Sequence, residues 1–230
     1  NFKGLATKKY DNEESVYSNL NIQYCEPELR EGLFELEKAK NNQLPKLIEL
    51  TDLKGILHNH STYSDGMNTL EEMAVYCKEL GYQYLGICDH SKTASYAGGL
   101  KVETVLLQQQ EIEKLNKQLF PFKIFKGIES DILGNGDLDY EEDILKTFDF
   151  IVASVHANLK MDEEKANARL IKAIENPYTT ILGHPTGRLL LGRPGYPIDH
   201  KKIIDACAAN KVVIELNAHP YRLDIDWRWI

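Results

Sequence analysis

His58 and His60 lie one residue apart, so an extended chain projects both imidazoles to the same side, as a strand offers two nitrogens to one metal ion. Asp65 follows, and farther on come Asp89-His90, Glu129, His156 and His184. Taken singly, each has an ordinary explanation. A histidine at a strand end is most often a hydrogen-bonded loop residue, and a lone glutamate is a helix cap or half of an ion pair. As a set they offer imidazole and carboxylate together, a mixture that suits Mn²⁺, Zn²⁺ or Fe²⁺ better than Mg²⁺.

The elements that would position these residues have a regular rhythm. Short apolar or β-branched runs at 55–58, 84–88, 122–127, 150–155, 179–182 and 212–216 read as strands. Helical patterns fit 70–80, closed by Gly81, then 102–119, 162–175 and 199–209, where Asp199 can cap. Strand–helix alternation implies a parallel sheet with right-handed crossovers. Each candidate ligand then falls just after a successive strand: His58, His60 and Asp65 after the first, His90 after the second, Glu129 after the third, His156 and His184 after the fourth and fifth. Asn217 and His219 follow the sixth. In a βα barrel these points share one face. Scattered structural histidines would not keep such step, although His200, at a helix start, has no assigned role.

Other chemistries find less support. Asp131 to Glu142 partly mimics a calcium loop, but Leu133 stands at a ligand position and a turn fits better. The glycines of 183–195 lack the Lys-Ser/Thr of a P-loop, and Ser154 reads as a packed strand residue rather than a nucleophile. The four cysteines form no CxxC pair and read as buried free thiols of a cytoplasmic protein. No apolar run approaches the roughly 18–20 residues of a membrane span, so no membrane association is expected. With 27 basic and 35 acidic side chains the net charge is −8, which disfavours a broad basic face for DNA but leaves room for a nuclease whose metal ions supply positive charge. Within 182–202, Arg188, Arg193, Lys201 and Lys202 face only Asp199.

Residues 1–50 differ from the remainder: they are highly charged, with one helix expected over Pro27–Asn41 from the stripe Leu29, Leu33, Phe34 and Leu36. They read as a linker and the tail of an upstream region. The absence of an initiator methionine and the aromatic stretch before Ile230 suggest a piece of a longer protein.

The series His58-Asn59-His60 through Asp65-Gly66, Cys88-Asp89-His90-Ser91, Gly127-Ile128-Glu129, Ser154-Val155-His156 and Gly183-His184-Pro185 resembles the PHP (polymerase and histidinol phosphatase) phosphoesterase family. Within it, Gly98-Gly99-Leu100, Glu175-Asn176-Pro177-Tyr178, Pro185-Thr186-Gly187-Arg188 and Pro27–Glu31 look most like the C-terminal PHP domain of bacterial family-X DNA polymerases. The resemblance covers roughly residues 25–230. It implies a distorted seven-unit, TIM-like (β/α) barrel over 51–230, here without its last unit and that unit's Asp-x-His motif, preceded by the 1–50 polymerase connector. It also implies up to three divalent ions: one on His58 and His60, a second on His156 and His184 bridged to the first by Glu129, and a third served by Asp65 and His90. Such a site hydrolyses phosphoesters by activating water. Arg188, just past His184, can hold a phosphate by its planar fork, with Lys160 and Arg222 as weaker candidates.

The leading expectation is a metal-dependent 3′–5′ exonuclease acting on a DNA end, serving DNA repair beside a polymerase domain of the same chain. A small-molecule phosphatase of the histidinol-phosphate type shares the chemistry, but the charged connector counts against it. A purely structural PHP module would not need all seven ligands.

Overall fold

In the computed structural model, which describes residues 8–30, 32 and 34–229, the chain divides between Asp52 and Leu53 into two compact units. The first contains α1 (Glu13–Asn19) and α2 (Glu35–Lys40). The continuous helix expected over Pro27–Asn41 does not form. Pro27–Leu29 makes a single 3-10 turn, and Gly32 then adopts φ +74°, a left-handed conformation that interrupts the run. Its N–H donates to Glu35 at 2.7 Å where α2 begins. Of the expected apolar stripe, Leu29 is buried, Phe34 and Leu36 are exposed, and Leu33 lies outside the described residues.

The second unit alternates strand and helix: β1 (Gly55–Asn59), α3 (Leu70–Glu79), β2 (Tyr84–Ile87), α4 (Val102–Leu119), β3 (Lys123–Asp131), α5 (Glu142–Leu145), β4 (Phe150–Ser154), α6 (Glu163–Ile174), β5 (Ile181–Leu182), α7 (His200–Asn210) and β6 (Val213–Ile214). The strands lie side by side in chain order, every neighbouring pair parallel. The sheet curls far enough that His58 in β1 is hydrogen-bonded to Glu215, the residue after β6. Among the described residues no strand pairing closes β6 onto β1. Among the described residues the architecture is a curled six-strand parallel half-barrel.

Two apolar layers fix the sheet to its helices. Ile128, Ile151 and Leu182 pack with Leu170 and Ile174 of α6 and with Ile203 of α7. Leu85, Ile87 and Ile124 pack with Leu70 of α3 and Ile112 of α4. Each fully buried aliphatic side chain contributes about 1.5–3 kcal/mol, so these layers hold the strand ends in register. Local signals set where the helices start. Thr69 and Glu72 form a reciprocal capping box on α3, Asp162 accepts the Lys165 N–H at 2.8 Å, and Asp199 accepts the Lys202 N–H at 3.0 Å. All four cysteines are buried free thiols. Among the described residues no helix is long and apolar enough to cross a membrane.

Candidate metal centre

The centre is built around Glu129. β3 runs through Glu129 to Asp131, past the expected end at Gly127, so this glutamate is a strand residue rather than one that follows a strand. Its carboxylate is almost wholly buried. Oε1 lies 3.0 Å from His58 Nε2, 3.1 Å from His156 Nε2 and 2.9 Å from His184 Nε2. Oε2 lies 3.0 Å from His90 Nδ1 and 3.4 Å from His60 Nε2. Asp65 completes the outer side, with Oδ1 2.8 Å from His60 Nδ1 and Oδ2 3.6 Å from His90 Nε2. All seven expected ligands therefore meet in one place.

Two local features aim the histidines. Between β1 and β2, Ile56 faces Leu85 while Asn59 faces Ile87, so β1 carries one extra residue, and His58 takes φ +60° there. Such a bulge turns a side chain out of its regular alternation. His184 takes φ +22°, also outside the usual region for a side-chain-bearing residue. Both conformations cost energy and persist because the surroundings hold them.

The residues fit divalent ions. Donor atoms sharing one ion with bonds of about 2.1 Å stand roughly 3.0–3.4 Å apart, which is the spacing around Glu129. His90 Nδ1 sits at that spacing without hydrogen-bond geometry and has no other partner. Among the described residues three groups of donors are close enough to hold an ion: His58 with His60 and Glu129, His60 with Asp65 and His90, and His90 with Glu129 and His156. The expected pairing of His156 with His184 around a second ion is not among them; His90 stands beside His156 instead.

For His156 and His58 the ring nitrogens facing away from Glu129 are also held. His156 Nδ1 pairs with Asp131 Oδ1 at 2.5 Å, and His58 Nδ1 pairs with Glu215 Oε1. Glu215 Oε2 accepts the backbone N–H of His184 at 2.7 Å, so one carboxylate fixes two histidines. Carboxylates behind ligating histidines set the tautomer and raise ligand basicity. Asp131 is in turn placed by the buried Arg169, which donates to the carbonyls of Ile132, Leu133 and Ala157 around it. Asp89 stands outside the three donor groups. Fully buried, it accepts from the Ser61 N–H and hydroxyl, from Ser64 and from Gln108, tying the His60 loop to α4.

Burial acts to lower the His58 pKa, but Glu129 and Glu215 outweigh it and push the imidazole up to about 10. The same opposition, with Asp131 and Glu129 winning, puts His156 at about 9, and His60 is raised as well. His184, more deeply desolvated, is lowered despite Glu129. Burial would raise Glu129, yet the surrounding imidazoles hold it well below the usual carboxylate range. Without metal the site is a carboxylate anion ringed by imidazoles, of which His58 and His156 carry protons at neutral pH.

The three expected phosphate cations part company. The Arg188 guanidinium donates to the carbonyls of Arg222 and Leu223 and to Asp226 at 3.0 Å, so it clasps the returning 217–226 loop instead of reaching the ligands. Lys160 is exposed and does not line the cavity above the ligands. Arg222 does line that cavity, of about 1,200 Å³, and its Nη1 is buried without a hydrogen-bond partner. Its positive charge contributes to lowering the His184 pKa. His219 and Asn217 line the same cavity, whereas His200 stacks on Trp229 at 4.2 Å between ring centres. Asp131 and Glu215 were missed from sequence: one reads as turn, the other as an alternating strand residue.

Known proteins resemble this chain in the same terms. The family model described as PHP domain matches residues 57–219. The Bacillus subtilis DNA polymerase/3′-5′ exonuclease PolX is 40% identical over 218 residues, which is 95% of this chain and 38% of that protein, so the chain spans well under half of this relative. A probable phosphatase of Acetivibrio thermocellus is 30% identical over 71% of this chain and 65% of its own length. Among solved structures, the Lactococcus lactis histidinol phosphate phosphatase, complexed with zinc, L-histidinol and phosphate, shares the fold with a TM-score of 0.50 and 18% identity, over 71% of this chain and 73% of that one. With the family match spanning most of the half-barrel and every ligand position inside it, the chain belongs to the PHP domain family of metal-dependent phosphoesterases.

Proposed function

We propose that the unit from Leu53 onward hydrolyses phosphodiesters at the 3′ end of DNA, beside a polymerase region of the same protein, in the cytoplasm and in the service of repair. The observation that carries the phosphoester chemistry is the buried Glu129 carboxylate ringed by five imidazoles at 2.9–3.4 Å, under a cavity into which Arg222 brings an unpaired guanidinium nitrogen. His58, His60, Asp65, His90, Glu129, His156 and His184 hold Mn²⁺, Zn²⁺ or Fe²⁺. When bound, these ions supply positive charge and a water activated for attack on phosphorus. Glu129 shares its two oxygens among the ligand groups, so it sets their spacing. Glu215 and Asp131 hold the His58 and His156 rings in the orientation and tautomer that leave Nε2 free to bind, and Glu215 also ties down the His184 backbone. Arg222 pairs with a phosphate oxygen, and Arg188 secures the loop that carries it.

DNA as substrate draws support from the similarity to PolX over 95% of this chain. The similarity to a probable phosphatase and the fold shared with histidinol phosphate phosphatase favour a second reading, a small-molecule phosphomonoesterase. The proposal also includes a further strand unit bearing the Asp-x-His pair, since the edge strands β1 and β6 leave Leu57 and Val213 exposed. The test is Mn²⁺-dependent release of mononucleotides from a 3′-labelled oligonucleotide, run against phosphate release from histidinol phosphate. Faster turnover of the monoester would replace the first reading with the second.

A further inference from the structure

We propose that Tyr96 is a stacking platform for the nucleobase of the terminal nucleotide, so that the site grips a base-bearing end and not a phosphoester alone. This deepens the phosphodiesterase reading above and rests on it. Tyr96 lines the same cavity as the metal ligands, with its ring centre 6.1 Å from that of His90, yet the residue is 71% exposed. A tyrosine left this open gains little from folding.

The loop beneath it is rigid. Ala94, Ala97 and Leu100 are buried on either side, and Gly98 and Gly99 donate to the carbonyls of Ser95 and Ala94. Gly98 has φ +70°, and a Cβ at Gly99 would stand 2.0 Å from the Ser91 carbonyl oxygen, so both positions require glycine. Thr93 is anchored to Asp131 and Asp139. A flat, amphipathic ring is thus held at the mouth of a polar site at little cost in lost freedom on binding. The ring faces the same cavity as the ligand carboxylates Glu129 and Asp65 and as Arg222.

A planar heteroaromatic group joined to a phosphoester fits this arrangement: Arg222 takes the phosphate and Tyr96 the ring. Nucleobases stack on such rings with little regard to sequence. A second exposed tyrosine, Tyr221, lines the same cavity beside His219.

The experiment uses the Mn²⁺-loaded protein and a fluorescein-labelled oligothymidylate with a phosphorothioate at its last linkage, alongside the same oligomer ending in an abasic residue. Binding is read by anisotropy. The parent protein should bind the base-bearing end about tenfold more tightly than the abasic end. Tyr96→Ala should abolish that preference by weakening the base-bearing end alone, Tyr96→Phe should keep it, and the melting temperature should not move because the side chain is exposed. Equal binding of both ends by the parent, an equal loss on both ends in Tyr96→Ala, or a Tyr96→Ala effect confined to competing histidinol phosphate would overturn the assignment. A parent that discriminates the two ends but releases no nucleotide from an unmodified oligomer would remove the phosphodiesterase reading while leaving the platform in place.

Discussion

Replacing Glu215 by glutamine tests whether the carboxylate behind the ligands governs the metal site. In the parent protein its two oxygens serve two donors, His58 Nδ1–H and the His184 backbone N–H. An amide of the same shape has one acceptor for those two donors. If its oxygen serves His58, its NH₂ faces the His184 N–H at 2.7 Å and a buried donor loses its partner, at about 1–3 kcal/mol. If it flips, His58 shifts its proton to Nε2, the nitrogen that must face the metal. Either arrangement should weaken metal binding by about 10–100-fold, or roughly 1.4–2.8 kcal/mol. One effect opposes this. Glu215 helps hold His58 at about 10, above its ordinary 6.5, so at pH 7 an incoming ion must displace a proton, and parent affinity rises with pH until about 10 is passed. Glu215→Gln lowers that barrier, so its affinity should climb less steeply with pH and the deficit should widen from pH 7 to pH 9. The assay is Zn²⁺ titration against a chromophoric chelator at both values, with Glu113→Gln, a partner in an exposed pair with Lys126, as control. Unchanged affinity at pH 9 would refute the reasoning.

Glu129→Gln should lower bound metal and hydrolysis together, because that carboxylate touches all five imidazoles; equal metal content by elemental analysis would remove it from the site. Arg222→Ala should cut turnover with metal content intact, whereas Arg188→Ala, which frees the 217–226 loop, should cut turnover and also raise protease cleavage within 217–226. A reversal of that cleavage pattern would return Arg188 to the substrate. Gly99→Ala should destabilise the second unit by about 1–3 kcal/mol, since the Ser91 carbonyl leaves no room for a methyl group; an unchanged thermal midpoint would count against a rigid 91–100 loop. A version of the protein lengthened past Ile230 with the Asp-x-His unit should bind more metal per chain and hydrolyse 3′ ends faster, and equal stoichiometry would show the added ligands dispensable.

The convergence of the candidate ligands was legible from sequence because a parallel βα chain repeats the same event: each strand ends at one face, so residues spaced by whole units meet. His58, His60, His90, His156 and His184 needed no more than that rhythm. The cap at Asp199 was readable for a local reason, a side chain bonding a backbone N–H three residues on, and Thr69 and Asp162 do the same at the starts of α3 and α6. What sequence did not show depended on returns of the chain. Glu215 matters through a partner on the opposite edge of the sheet, and nothing in its neighbours marks it. Arg188 and Arg222 are both arginines past strand ends, and only the folded loop shows that the first clasps the backbone of the second. The helix over 27–41 failed at Gly32, whose left-handed backbone outweighed the apolar stripe.

The bond between His58 and Glu215 joins residues 157 positions apart, the two ends of the curled sheet. Long-range closure of this kind comes after the local helices and adjacent strand pairs have formed, since a large loop must be ordered before the contact rewards it. During synthesis the chain exposes its first ligand pair at His58 and His60 long before it owns the carboxylate that fixes His58. A nascent or clipped chain ending ahead of Glu215 therefore lacks the carboxylate that fixes the His58 ring and the His184 backbone, while Asp65 and Asp131 are already there to hold His60 and His156.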